Sequence, residues 1–349
     1  PQEEIRVAIR TWTLTIFSGI NQIALVLSIA VLLSAPAWGA SHKKVATHRL
    51  FNGEVLNEYH FKNGLRVLHV PRHQARVLTY QVWFGVGSID EKLNPNLKKT
   101  GLAHLFEHMM FRGSDDFPDG VFDKLVSRLG GEGMNATTNF YRTNYYESIP
   151  SRNLEKLMEM EADRMAELNL EGELFEKEKG AVVGELRRAL DNPRFAAWES
   201  LMKLYFTKAP YKYTVIGTEE EIKGFTLKEA KYFYKTYYAP NNATIIVIGD
   251  VKAEKLLSLV DEYYGDMKGQ KIPKVAIPAE PPLKKVRSRT IRHRQATSEI
   301  LAIAYPGPKP LTDDVIPLEL LSTHLSTGME SVLRKALVDT GIAVSAWAG

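Results

Sequence analysis

Five residues constrain this chain more than any others: His104-Leu105-Phe106-Glu107-His108, set inside the apolar run GLAHLFEHMMF. Leu102, Ala103, Phe106, Met109 and Met110 recur at helical spacing, which predicts a largely buried helix between Thr100 and Phe111. On such a helix positions i, i+3 and i+4 share one face, so His104, Glu107 and His108 project together beside a core. Buried polar groups need partners. The fold must therefore bring a complementary group to that face from another part of the chain.

The chain has no cysteine, which excludes disulfides, thiolate catalysis and cysteine-held zinc; any metal must be bound by nitrogen and oxygen. Two imidazoles one turn apart have Cβ atoms about 5 to 6 Å from each other and make half of a zinc site. The bland alternative is a pair of hydrogen-bonded helix histidines beside a surface glutamate. Candidates for a third ligand lie on a second helix, from Leu174 to Leu190, where Glu178 and Glu185 stand two turns apart on one face. Val182 and Val183 between them point to partial burial, although most helical glutamates face solvent. Asp191-Asn192-Pro193 stops that helix, since the residue before proline is turned away from helical geometry.

Length and composition frame the rest. The 349 residues suggest two domains, and 44 % hydrophobic with 25 % charged residues is ordinary globular usage. A net charge of +4 spread along the chain argues against a nucleic-acid partner. No Lys, Arg, Asp or Glu occurs between Arg10 and Lys43, and the stretch holds an apolar core from Ile23 to Leu33. Residues 1–40 therefore read as a signal peptide, cleaved near residues 37 to 40 after Ala35-x-Ala37 or Ala37-x-Gly39, with an uncleaved membrane anchor as the rival. Export to a bacterial periplasm is the expected localisation, and membrane contact follows only if the segment is retained.

Alternation around Asn63-Gly64 predicts a hairpin with a type I′ turn over Val55 to Val70, and a third strand follows from Val77 to Val86. Gly130 to Met134 reads as a turn, and the Thr- and Tyr-rich stretch from Asn135 as a strand or strand pair. Further helices are expected at Leu154 to Glu167, Leu227 to Tyr237 and Ala253 to Tyr264, with a buried strand at Ala243 to Ile248. Four prolines mark residues 269–285 as a linker between a domain at 48–268 and a second strand-and-helix unit at 286–349.

The His104-x-x-Glu107-His108 motif, followed 77 positions after His108 by Glu185, resembles the inverted-zincin peptidases of the M16 type, the pitrilysin and mitochondrial-processing-peptidase family. Phe111, Gly113, Asn135-Ala136 with Thr138, Thr143 and Tyr145, Glu178, Asp191-Asn192-Pro193, Pro210-Tyr211, Gly217 and Tyr238-x-Pro240-Asn241-Asn242-Ala243 match in order. The resemblance covers residues 50 to 349. It implies an α+β fold of two homologous domains, each a mostly antiparallel sheet packed against helices, with the second incomplete at Gly349. It implies a zinc endopeptidase with one Zn2+ per chain, held by His104, His108 and Glu185. Glu107 would be the base and Glu178 a carboxylate steadying a ligand. Asn135 and Ala136 would contact an extended peptide substrate that adds as a strand, and Phe111 would wall a side-chain pocket. Partners would be the peptide and a second related chain, as a homodimer or heterodimer. An Arg and Tyr pair that the family draws from its second half is not visible in this sequence. Relatives lacking the motif suggest the alternative of a non-catalytic scaffold. A third reading, a quorum-signal lyase with the same motif, is opposed by the chain's length and its lack of cysteine. His60, His69, His73, His293 and His324 have no partner at ligand spacing and receive no role.

Overall fold

A computed structural model describes residues 41–349. The expected leader over residues 1–40 lies outside the described residues. Seven strands form one sheet: β1 (His42–Arg49), β2 (Val55–Phe61), β3 (Arg66–Pro71), β4 (Val77–Phe84), β5 (Glu132–Thr138), β6 (Thr143–Pro150) and β7 (Ala243–Gly249). Their order is β1-β2-β3-β7-β4-β6-β5, antiparallel throughout except for the β3–β7 pair. The helices are α1 (Ser88–Leu93), α2 (Leu102–Met109), α3 (Phe122–Arg128), α4 (Leu154–Ala166), α5 (Gly172–Leu190), α6 (Pro193–Tyr205), α7 (Glu219–Lys223), α8 (Leu227–Tyr237), α9 (Ala253–Tyr264) and α10 (Val315–Ser326). This is the mixed α+β architecture expected. None of these helices is long and apolar enough to cross a membrane.

Alternation sets the layers. On β4, Leu78, Tyr80, Val82 and Phe84 are buried while Thr79, Gln81 and Trp83 between them are half-buried. On β7, Ala243, Ile245 and Val247 repeat the pattern, so one sheet face is covered by helices and the other is only partly covered. Leu102, Ala103, Leu105, Phe106 and Met109 of α2 are buried in the same core. A wholly buried cation lies within it: Arg164 of α4 ion-pairs with Glu161, and its guanidinium stands 4.4 Å from the Phe122 ring and 4.8 Å from that of Tyr145.

Several boundaries differ from the sequence-based expectation. The Asn63-Gly64 turn is not type I′. Gly64 alone has positive φ (+91°), its N–H bonds to Phe61 O, and Phe61 N bonds to Leu65 O. That is a type I turn closed by a glycine bulge. Asn63 stays right-handed because its side chain is engaged: Nδ2 donates to Tyr264 O at 2.8 Å and Oδ1 accepts from Leu65 N at 3.1 Å. The sheet begins with a strand at His42, ahead of the hairpin expected from Val55, and β5 starts at Glu132, inside the expected turn. Pro193 both ends α5 and opens α6, where Asn192 Oδ1 accepts the Arg194 N–H at 2.9 Å.

Residues 265–310 contain neither helix nor strand, and residues 286–349 contain α10 and one π-helical turn but no strand. The strand expected there is missing: among the described residues no strand of the sheet pairs with this segment, and a strand needs a neighbour to pair with. Leu301, Ile303 and Tyr305 are instead exposed. The proline-rich stretch is strapped to the sheet domain. Glu280 accepts backbone N–H bonds from Thr207, Lys208 and Ala209 at 2.6 to 3.0 Å, and Arg287 Nη1 donates to Leu204 O at 3.0 Å.

Candidate metal centre

The site sits where α2 meets α5 beneath edge strand β5. His104 and His108 project from one face of α2, their ring centroids 5.0 Å apart. Glu185 comes from α5, one turn before its C-terminal end. His104 Nε2 lies 3.6 Å from Glu185 Oε1, and His108 Nε2 lies 3.4 Å from Glu185 Oε2. These distances are long for hydrogen bonds. Each is close to the roughly 3.4 Å between two vertices of a tetrahedron around an ion with ligands at about 2.1 Å, with the two rings facing different oxygens of the one carboxylate. One ligand atom from each residue falls within 4.8 Å of the other two, and no other such group of three occurs among the described residues.

The donor set tests well against zinc. It consists of two imidazoles and a carboxylate, three protein ligands that leave a position open. The two histidines have unlike surroundings. His108 Nδ1 lies 3.5 Å from Glu178 Oε2, and the neighbouring Glu178 and Glu185 carboxylates raise the His108 pKa to about 9. His104 is drier, and burial pushes its pKa below the ordinary value while its buried Nδ1 has no hydrogen-bond partner. Glu185 is held below the usual carboxylate range by the same contact with His108. Burial acts to raise Glu178, but His108 and Arg112 outweigh it, and the net shift is downward.

Glu107, the remaining polar residue of the α2 face, accepts a 2.5 Å hydrogen bond at Oε2 from Thr138 Oγ1 of β5. Its other oxygen has no protein hydrogen bond among the described residues. Glu178 is 2 % exposed and faces Arg112 Nε at 2.8 Å as well as His108. The sequence-based reading gave Thr138 and Arg112 no task. Arg112 stands one turn beyond His108 on the same face, which is a usable signal for a carboxylate partner. Thr138 follows Ala136 by two, so both share one strand face.

β5 is the outer strand of the sheet, with one row of backbone groups unpaired. Asn135 is exposed, and its Oδ1 accepts the Ala136 N–H at 2.8 Å. Ala136 is buried, and its N–H is occupied by the Asn135 side chain. Phe111 is half-buried against Phe122 and Tyr145, at ring distances of 6.5 and 6.0 Å. His293 Nε2 donates to Leu190 O at 2.8 Å and His69 Nε2 to Val251 O at 3.1 Å, so both rings are engaged by backbone carbonyls outside the cluster.

An antiparallel-rich sheet backed by helices carries a cluster of two histidines and one carboxylate that could hold a metal ion, with two further carboxylates, Glu107 and Glu178, beside it. Comparison with known proteins agrees. Residues 66–219 match the family model described as insulinase, peptidase family M16, and residues 224–349 match that of the peptidase M16 inactive domain. The chain belongs to peptidase family M16. It is 34 % identical over 284 residues to the zinc protease PqqE of Helicobacter pylori, covering 80 % of this chain and 62 % of that protein. It is 23 % identical over 274 residues to the probable mitochondrial-processing peptidase subunit beta of Arabidopsis thaliana, covering 77 % and 50 %. The crystal structure of a protease from Helicobacter pylori superposes with a TM-score of 0.71 at 28 % identity, covering 89 % of this chain and 71 % of that one. The chain thus spans less than two thirds of the length of these two relatives in sequence. The boundary between the two family models, near residue 220, precedes β7, which lies at the centre of the sheet; the compact unit runs on to Tyr264.

Proposed function

We propose that this protein is a zinc-dependent endopeptidase that hydrolyses peptide bonds in extended peptides or small unfolded polypeptides. The observation that carries the reading is the pair of Nε2-to-carboxylate spacings, 3.4 and 3.6 Å, that His108 and His104 keep from Glu185. His104, His108 and Glu185 are the zinc ligands in this reading. When bound, zinc supplies a Lewis acid that acidifies a coordinated water and polarises the scissile carbonyl. Glu107 is the general base: Thr138 fixes Oε2, and Oε1 is left to take a proton and return it to the leaving amine. Glu178, itself held by Arg112, orients His108 through Nδ1. A peptide lies along the outer edge of β5, contacting the chain at Asn135 and Ala136, and Phe111 lines the pocket wall.

The likeness to a zinc protease supports the metal, and the likeness to a processing-peptidase subunit supports pairing with a second M16-type chain, identical or related. The uncharged apolar stretch of residues 11–42 supports export to the periplasm, with a retained anchor as the alternative. A non-catalytic scaffold is the second reading, favoured by the match of residues 224–349 to a domain described as inactive. The test is to incubate the full chain with a mixed peptide library, with and without chelator, and read cuts by mass spectrometry. Cleavage that a chelator abolishes and zinc restores is expected. Zinc-loaded protein that leaves the library intact would support the scaffold instead.

A further inference from the structure

α2 has no cap of its own. Its N-cap is Gly101, at φ +101°, where an added Cβ would lie 2.5 Å from Ile216 O, so no capping side chain fits. The first-turn N–H groups are satisfied from elsewhere. Glu91 of α1, wholly buried, accepts from Leu102 N at one carboxyl oxygen and from Ala103 N at the other, the latter at 3.3 Å. His104 is the next residue. α1 is fixed in turn to the β5–β6 connection, where Ser88 N donates to Asn139 O at 3.2 Å and Ile89 N to Phe140 O at 3.1 Å. Asn139 follows Thr138, which holds Glu107. The contacts close a ring: Glu107, Thr138, the end of β5, α1, Glu91, the first turn of α2, and back to Glu107.

From this ring we infer that Glu91 is a positioning residue for the hydrolysis proposed above, and that α1 is a bracket fixing α2 in register with the substrate-edge strand. The inference rests on that functional reading. A helix of eight residues has little stiffness of its own in water, so its register is set by its ends. Freeing the first turn shifts Glu107 against the edge strand more than it alters peptide docking on β5. Misplacement of a reacting group by about 1 Å costs up to about a hundredfold in rate.

Hydrogen exchange on the zinc-loaded full chain reads the bracket without any substitution. First-turn helical amides normally lack an acceptor, and here those of Leu102 and Ala103 exchange as slowly as core amides. Glu91→Gln, nearly isosteric, keeps one acceptor and lowers kcat about tenfold with KM changed less than about twofold. It also shifts the visible absorption of the cobalt-substituted protein. Val260→Ala, a core truncation on α9, lowers Tm with neither effect. Loop-rate exchange at Leu102 and Ala103, or unchanged kcat and cobalt spectrum in Glu91→Gln, would overturn the bracket. A chain that binds no zinc would instead overturn the functional reading, and exchange at Leu102 and Ala103 measured on that metal-free chain would still decide the bracket.

Discussion

The two ends of α2 carry the same side chain in opposite settings. His104, near the N-terminal end, is dry, its Nδ1 unpartnered and its pKa lowered by burial. His108, one turn later, stands between Glu178 and Glu185 and is raised to about 9. Helical spacing makes the two equivalent; only the arrival of α5 makes them different. An imidazole already in ligand form and one that must first lose a proton thus face a common point.

The most drastic way to break this comparison is to remove the group both ends share. Glu185→Gln loses zinc at micromolar concentrations, and cleavage with it, as read by metal analysis of dialysed protein. Glu107→Gln leaves both ends intact and retains zinc, yet lowers turnover by about 10²- to 10⁴-fold, the range for a general base. Retained turnover would dismiss Glu107 from that role.

Acidity sharpens the contrast between the ends. His108 has a folded pKa above its ordinary value, so in the metal-free protein its contribution to stability is present below about 6.5 and is lost as pH rises through about 9. Zinc needs the deprotonated form, so affinity gains about tenfold from pH 7 to 8 and less from 8 to 9, about fiftyfold in all. Competition titration with a chromophoric chelator measures it, and a flat profile would contradict the assignment. Glu178→Gln acts on one end only: it lowers zinc affinity about 10- to 100-fold and returns His108 toward its ordinary pKa, with His104 unmoved in an NMR titration. Thr138→Val is the mildest change, leaving zinc affinity within about twofold and costing about tenfold in kcat through a less ordered Glu107.

Much of this arrangement was legible in the residues. The periodicity of GLAHLFEHMMF located α2, and the two-turn spacing of Glu178 and Glu185 put both on the face that meets it. Helical phase left the choice between them open, because both are glutamates on one face, and only the motif spacing of the family resemblance named Glu185; packing sets Glu185 against both rings and Glu178 against one. The cap on α2 was illegible, since its acceptor is eleven positions upstream and Gly101 carries no side chain. The turn at Asn63-Gly64 was misread for a related reason: local preference favours a left-handed asparagine, and Tyr264, two hundred residues away, overrides it. β1 escaped notice because its edge position leaves Lys43, Lys44 and Arg49 exposed, so no buried face marks it. Short helices such as α1 and α7 bury too few residues to leave a period.

β7 has a consequence for how the molecule comes into being. It fills the gap between β3 and β4, joined by parallel pairing to one and antiparallel pairing to the other, although more than 150 residues separate it from either. Until Gly249 has left the ribosome, the nascent chain can hold only two disconnected ribbons, and the first ligands wait unfolded for the last strand. Closure across so long a loop is slow, so this protein spends its youth open, and its birth order delays maturity of the candidate site until β7 has emerged.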